Sequence, residues 1–389
     1  GRPPEVTPAA AGAASLDSAM NPIHTVSLRM RLLILGGMTA LYFLSYFQRV
    51  AVPGTIFNEL QMDYGAAAGA ITGLGALFLY VYGFFQVAAG LSADRFGAFR
   101  TLLAGGLVMT FGALCFPFAR SLPGLYATRI LTAFGASFIF ISLIKGLDTL
   151  LDRRHFAMGL SVALFFGYAG GLFATWPLER MVYFCGWRRA LAGVGTAGAA
   201  VWLANFLLLR KRRPPAGGAR LPTRGCLAGI ARNPRSWFVV AAGALDFSIY
   251  FLFQASIGKK LLSDTCGLDS AHAASVLFLM LMISMVATSL VGFASRLMGN
   301  RRKPILIGGT TLMLAATAAL TWLLGRPAPA PALMVACYAA MALASAGSPL
   351  YCSLIKEVNH ADAAATSVGF SNCLCYLGVA LFSNLAGTV

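Results

Sequence analysis

Ionisable side chains lie inside long apolar stretches of this sequence, and four of them are candidates to bind a solute or carry a proton within a membrane. These four are Arg49, Lys145, Asp246 and Lys356. A charge inside an apolar helix costs about 2.5–3.5 kcal/mol on insertion scales, so residues that keep one usually have a function. Three bases around one cavity would suit an anionic or zwitterionic solute. The carboxyl group of Asp246 is a candidate to carry a coupling proton.

Each of these side chains also has a simpler explanation. A base near a helix end can extend along the helix to the water at the membrane surface, and Arg49, Lys145 and Lys356 all lie towards predicted helix ends. Asp246 can be a hydrogen-bonded structural residue, and Tyr46, one turn before Arg49, can be a packing residue. Because both lysines follow the same Ser-Leu-Ile tripeptide, we expect a paired role. We therefore predict that the three bases line one central cavity, with Tyr46 beside Arg49.

The segments that must position these residues are apolar and long. Only 11% of the 389 residues are charged and 58% are hydrophobic, whereas soluble proteins carry roughly 25% charged residues. A helix that crosses a bilayer needs about 20 mostly apolar residues. Eleven segments meet this requirement, and the composition therefore predicts an all-α membrane protein. Their approximate limits are 31–54, 68–92, 101–119, 124–147, 157–178, 188–209, 236–258, 271–297, 304–325, 331–355 and 362–387.

Three short sequences recur in the same order, which indicates two homologous halves. The paired stretches are 40–60 with 244–264, 90–100 with 292–302, and 142–145 with 353–356. Two equal halves would contain twelve helices, so a twelfth helix is apparently missing from these eleven. The predicted organisation is a disordered cytoplasmic tail (1–28), a six-helix half (29–209), a basic cytoplasmic linker (210–235) and a second half with helices 7–11 (236–389).

The distribution of positive charge predicts the orientation. The chain carries 30 Lys and Arg and a net charge of +17. These residues interrupt the apolar segments at intervals instead of gathering on one soluble surface, which argues against nucleic-acid binding. Most of them fall in loops that are cytoplasmic if the N-terminus is cytoplasmic, as the positive-inside rule requires. We expect a protein of the inner cell membrane with a cytoplasmic N-terminus. No motif predicts a cofactor, a metal site or an enzyme active site.

The most specific motif lies between the second and third predicted helices. It contains Gly90, Asp94, Arg95, Gly97 and Arg100, and it resembles the loop pattern G-x-L-x-D-R-x-G of the major facilitator superfamily. Glycines permit a tight turn and close approach of helices. The resemblance implies that the Asp accepts hydrogen bonds from a helix N-terminus or an Arg across the two halves, so that the motif latches one conformation.

Other features are similar to the same superfamily along nearly the whole chain. Arg129 begins the pattern R-x-x-x-A-x-G in the fourth helix, and Tyr46-x-x-Arg49 resembles the Y-x-x-R of organophosphate and organic-anion branches. In those branches the matching Arg binds the anionic group of the substrate, which a planar guanidinium can hold with two hydrogen bonds. The fifth helix lacks the Gly-Pro step of drug/proton antiporters, which argues against drug efflux.

The resemblance implies a bundle of two pseudo-symmetric six-helix halves. It also implies a secondary active transporter that moves a small organic solute, an anion or a zwitterion, by alternating access with or without a coupling proton. Two alternatives stay open: a non-transporting membrane receptor or sensor on the same fold, and a drug or cation exporter.

Overall fold

The computed structural model describes residues 27–152, 154–210, 223–299, 301–326 and 329–387. These residues form helices and connecting turns, and none of them lies in a β-strand. Nearly all of the predicted tail and residues 211–222 of the predicted linker lie outside the described residues. The predicted all-α architecture is confirmed.

Eleven long helical segments cross the bundle in the described part of the chain. They are α1 (Leu28–Ala51), α2 (Ala68–Phe96), α3 (Ala98–Cys115), α4 (Leu122–Leu150), α5 (Phe156–Cys185, interrupted after Phe173), α6 (Trp187–Leu209), α7 (Pro234–Phe251), α8 (Ser270–Leu297), α9 (Lys303–Leu324), α10 (Pro331–Glu357, with a 3-10 turn at Ser345–Gly347) and α11 (Ala364–Gly387). The first ten are long and apolar enough to span a membrane.

Local sequence sets where these helices begin and turn. The Ser121 side chain caps α4 by accepting a hydrogen bond from the backbone N–H of Gly124. Asn233 caps α7 in the same way, and Pro234 follows in the first turn, where its missing N–H costs nothing. Between α2 and α3 the chain reverses at Gly97, whose φ of 87° is a conformation that favours glycine. This turn places the motif around Asp94 at the end of the bundle.

Two helix pairs join the first half (α1–α6) to the second (α7–α11). The α2 and α11 helices cross closely, because a Cβ on Gly90 would lie 2.7 Å from the carbonyl oxygen of Ala365, and one on Gly369 would lie 2.3 Å from that of Gln86. The α5 and α8 helices also pack together, with Gly292 against Ser161. Small residues allow such close contact between membrane helices.

The two ends of the bundle differ. At the linker end, defined here as the end where α6 finishes and α7 begins, the short helix Thr223–Arg232 packs against the N-terminal part of α11 through Cys226 and Ile230. At the opposite, far end lie the short helices Phe57–Tyr64 and Gly258–Cys266. There the Trp187 indole N–H donates to the Asp63 carboxylate at 2.8 Å, and this hydrogen bond is the main cause of a lowered pKa of Asp63.

Candidate functional site

A cavity of about 90 Å³ lies between the two halves. Helices α1, α2, α4 and α5 form one side, and α7, α10 and α11 form the other. A cavity needs about 10–15 Å³ to hold one water molecule, so this cavity has room for a small solute. Among the described residues its lining is rich in tyrosine: Tyr42, Tyr46, Tyr82, Tyr168, Tyr250, Tyr351 and Tyr376.

Arg49 is the base that lines this cavity. Its guanidinium carbon lies 4.3 Å from the ring centroid of Tyr82 and 4.8 Å from that of Tyr46, and its Nη1 donates to the Tyr376 hydroxyl at 2.8 Å. These are cation–π contacts that hold a cation without neutralising it. No carboxylate of a described residue lies within ion-pair distance of Arg49, and its Nε is buried without a hydrogen-bond partner. Its Nη2 makes no hydrogen bond with a described residue and is not fully buried.

Arg129 fixes the end of the helix that carries Arg49. Its side chain is 1% exposed and stacks over Phe78, 4.2 Å from the ring centroid. The guanidinium donates to the backbone carbonyls of Gln48 at 2.7 Å and Val52, both at the C-terminal end of α1. Carbonyls at a helix C-terminus lack partners within the helix and carry partial negative charge, so a buried cation is stabilised there. The predicted motif residue therefore holds the backbone next to Arg49.

Asp246 lies in the same cavity, on the side formed by the second half. The hydroxyl groups of Tyr351, on α10, and of Thr310, on α9, both donate to its Oδ2, the latter at 3.4 Å. Asp246 is 7% exposed. Its Oδ1 accepts no hydrogen bond from a described residue, yet it is not among the fully buried polar atoms. The Asp246 carboxylate is thus anchored through one oxygen and free at the other.

The structure does not place the two lysines among the residues that line this cavity, which differs from the predicted three-base lining. Lys145 forms an ion pair with Asp94, with 2.8 Å between Nζ and Oδ1, and Lys356 forms one with Asp148. Both pairs lie at the linker end, away from Arg49. The sequence repeat explains why the partners differ. Arg296 occupies the position in the second half that corresponds to Asp94, so Lys356 has no such partner in its own half and pairs with Asp148 of the first half.

The motif around Asp94 also joins the two halves at the linker end. Its carboxylate accepts hydrogen bonds from the backbone N–H of Ala365 at 3.2 Å and of Thr366 at 2.7 Å, in the first turn of α11. The Thr366 hydroxyl donates to the same carboxylate at 2.7 Å. An anion at a helix N-terminus is favoured because the first N–H groups there have no partner within the helix.

The remaining residues of this motif support the contact without taking part in it. Gly90 allows α2 to approach the backbone at Ala365, and Gly97 makes the turn after the motif. Arg95 and Arg100 are exposed at the linker end and form no ion pair with another described residue. This exposure agrees with positively charged residues that lie in a loop at the membrane surface.

Several cavity residues were not predicted from the sequence. Tyr82 and Tyr376 contact Arg49 from α2 and α11, and a tyrosine in an apolar helix gives little signal because it is also a common packing residue. Asp148, which lies at the linker end and not in the cavity, could have been found from the sequence. It is an ionisable residue one turn after Lys145 in an apolar segment, and the rule that singled out Asp246 also applies to it.

The fold, the two halves and the cavity between them agree with one family. The sequence model described as Major Facilitator Superfamily matches residues 38–383. The chain belongs to this superfamily. By family it is a multi-pass membrane protein of a transporter superfamily, and the expectation that it is not an enzyme is confirmed. The predicted resemblance is also confirmed.

Curated relatives within the superfamily are distant and differ in what their names describe. The chain is 25% identical over 191 residues to the probable sulfoacetate transporter SauU of Cupriavidus necator, covering 48% of this chain and 43% of that protein. It is 28% identical over 129 residues to the methyl viologen resistance protein SmvA of Salmonella typhimurium, covering 32% and 26%. It is 27% identical over 206 residues to human monocarboxylate transporter 11, covering 53% and 42%. The matches thus span less than half the length of these relatives.

A solved structure extends the likeness of fold to nearly the whole chain. The superfamily transporter FucP in its outward conformation superposes with a TM-score of 0.72, covering 92% of both chains at 14% sequence identity. At that identity the likeness concerns the fold alone. It supports the arrangement of two helical halves around a central cavity.

Proposed function

We propose that this protein is a secondary active transporter of a small organic anion or zwitterion, which binds at Arg49 in the central cavity. The observation that carries the proposal is a cation that lines the central cavity and forms no ion pair with a described carboxylate. A buried charge is costly unless it is paired. A carboxylate or sulfonate could accept hydrogen bonds from the free Nη2 of Arg49, and the surrounding tyrosine hydroxyls can supply others.

Transport would proceed by alternating access, in which the halves rock about the cavity. The contacts at the linker end support this mechanism. Asp94 binds the first turn of α11, and Lys356 pairs with Asp148, so both contacts join the first half to the second on the same side of the cavity. Separation of the halves at the linker end must break both. The far end would be the side from which the solute enters in this state.

Binding and uptake by the full chain test the role of Arg49. The probes are sulfoacetate and lactate, anions of the kinds named in two relatives, measured by calorimetry in detergent and by uptake into proteoliposomes. Arg49→Lys keeps the charge but loses the planar two-pronged geometry. We expect it to weaken binding almost as much as Arg49→Ala, by about tenfold or more, since a hydrogen bond to a charged group contributes about 1.5–3 kcal/mol.

A matched control is Arg326→Lys, because Arg326 is an exposed arginine that stacks on Trp322 away from the cavity. Its affinity for the probes should equal that of the unaltered protein. If Arg49→Ala leaves the affinity of every bound probe unchanged, Arg49 is not the anion site and the proposal fails.

We also propose that Asp246 carries a coupling proton, since it is a carboxyl group in the same cavity. Uptake into proteoliposomes should then depend on the pH gradient. Asp246→Asn should abolish this dependence while exchange of solute across the membrane continues. Uptake that does not respond to the gradient in the unaltered protein would rule out proton coupling.

The linker end would face the cytoplasm of the inner membrane, because the positively charged loops gather there. Cys185 is exposed at the far end, whereas Cys226 at the linker end is buried and would be a poor reporter. With Cys185 and an introduced cysteine at the exposed position Arg232 as the only thiols, an impermeant thiol reagent on intact cells should label Cys185 alone. Labelling at position 232 alone would show that the orientation is the opposite of the proposed one.

A further inference from the structure

The central cavity contains two opposite charges that do not pair with each other. Arg49 belongs to α1 in the first half and Asp246 to α7 in the second half, and both line the same 90 Å³ space. No oxygen of Asp246 lies within 4.0 Å of a guanidinium nitrogen of Arg49 among the ion pairs of the described residues. A small enclosed site would normally bring such groups together, because their attraction grows as water is excluded.

Separate contacts hold the two charged groups apart. Arg49 is fixed by the ring of Tyr82 and the hydroxyl of Tyr376, and Asp246 is fixed by the hydroxyls of Tyr351 and Thr310. Each group keeps part of its hydrogen-bonding capacity free. The Nη2 of Arg49 and the Oδ1 of Asp246 are both unpaired among the described residues and neither is fully buried. The cavity therefore offers a positively charged hydrogen-bond donor on one side and a negatively charged acceptor on the other.

We propose that the ligand of this cavity is a small zwitterion, an amino acid or aminosulfonate type of molecule whose acidic group binds Arg49 and whose ammonium group binds Asp246. The inference rests on the proposed function of Arg49 as the anion site and adds the second charge. A simple anion would satisfy Arg49 but would lie near the negative charge of Asp246. A simple cation would meet the opposite difficulty. Only a ligand with both charges satisfies both groups.

The size of the cavity limits the length of this ligand. A cavity needs about 10–15 Å³ to hold one water molecule, so one of about 90 Å³ takes a small molecule whose two charges are separated by only a few bonds. A ligand held in this way touches both halves at once, since α1 and α7 lie on opposite sides. A proton on Asp246 would remove its negative charge, so a proton and an ammonium group would occupy this carboxylate at different steps.

The test compares pairs of probes that differ only at the second charge. Taurine carries an ammonium group where isethionate has a hydroxyl group, and β-alanine differs from 3-hydroxypropionate in the same way. Binding of all four to the full chain in detergent is measured by calorimetry. We expect each zwitterion to bind at least tenfold more tightly than its hydroxyl partner. Asp246→Asn should weaken zwitterion binding by about tenfold or more while the hydroxyl partner binds as before or more tightly.

The Asn variant keeps one oxygen that can accept the hydrogen bonds from Tyr351 and Thr310, so the local structure should persist. Asp63→Asn, which alters a carboxylate outside the cavity, is the control and should change none of the four affinities. The inference is overturned if the hydroxyl compounds bind as well as the zwitterions, if Asp246→Asn leaves the ratio unchanged, or if neither zwitterion binds. If one of these results is found but the anions still bind in a way that depends on Arg49, the inference fails and the proposed function stands.

Discussion

Neutralising Asp94 should open the linker end of the bundle. In the structure its carboxylate receives two backbone N–H groups and one hydroxyl group from the first turn of α11, which belongs to the other half. The ion pair of Asp94 with Lys145 lies within the first half, so it persists when the halves separate and does not enter the difference between states. Asp94→Asn keeps an oxygen acceptor but loses the negative charge.

The size of the effect follows from these contacts. A negative charge at a partly buried helix N-terminus contributes up to about 2 kcal/mol. A hydrogen bond to a charged group exceeds a neutral one by about 1 kcal/mol. These terms overlap, so we expect a loss of about 2–3 kcal/mol from the state closed at the linker end. Because 1.4 kcal/mol is a factor of ten, the ratio of open to closed molecules should rise by about 30- to 140-fold.

Distance measurements between spin labels report this ratio directly. In a variant without native cysteines, labels at the exposed positions Asp152 and Arg301 lie in different halves at the linker end. Asp94→Asn should enlarge the long-distance population, slow transport and leave expression largely intact. Asp362→Asn is the control, because Asp362 pairs with His360 of its own half. If Asp94→Asn gives the same distance distribution as the unaltered protein and transports at the same rate, Asp94 is not a latch.

Three further outcomes follow from contacts outside the cavity. Lys356→Gln should raise the ratio of open to closed molecules at the linker end by only about fivefold, since Asp148 is partly exposed and water screens the ion pair. A double variant that exchanges the two charges should restore the original label distances. A double variant without this restoration would refute the pairing. Arg129→Lys should lower the stability by about 2–3 kcal/mol, because a lysine cannot reach all the carbonyls that the guanidinium bonds, and an unchanged Tm would contradict this. The lowered pKa of Asp63 contributes stability that is present above about pH 4, its unfolded pKa, and is lost as the pH falls through its folded pKa. The fall of Tm at acid pH should therefore be less steep in Asp63→Asn than in the unaltered protein. Identical Tm–pH profiles would exclude this contribution.

The sequence predicted the helices well because the membrane imposes their length. Each segment must carry about 20 apolar residues, and Gly and Pro mark many of their ends. Gly97 illustrates the success, since both its place in the motif and its positive φ follow from the need for a tight turn. The all-α architecture therefore followed from composition and segment length alone.

The composition of the cavity was harder to predict, because it depends on where side chains point. Lys145 and Lys356 occupy equivalent places in the repeat, which favoured one shared cavity. The structure instead gives each lysine a carboxylate at the linker end. A sequence repeat reports equivalent backbone positions but not the partners that surround them. Here the change from Asp94 to Arg296 between the two halves removed the equivalent partner.

A single helix connects the cavity to the closed end of the bundle. On α11, Tyr376 bonds Arg49 in the cavity, and Ala365 and Thr366 bind Asp94 at the linker end. These residues are about ten positions apart, which is about 15 Å at the rise of an α-helix. If a ligand replaces the Tyr376 hydroxyl as the acceptor for Arg49, α11 loses this contact with α1 in the cavity. Asp94 still holds the N-terminal end of α11. Because both contacts join α11 to the first half, occupancy of Arg49 and closure at Asp94 bias the same movement, and a change at either must alter the equilibrium of the other.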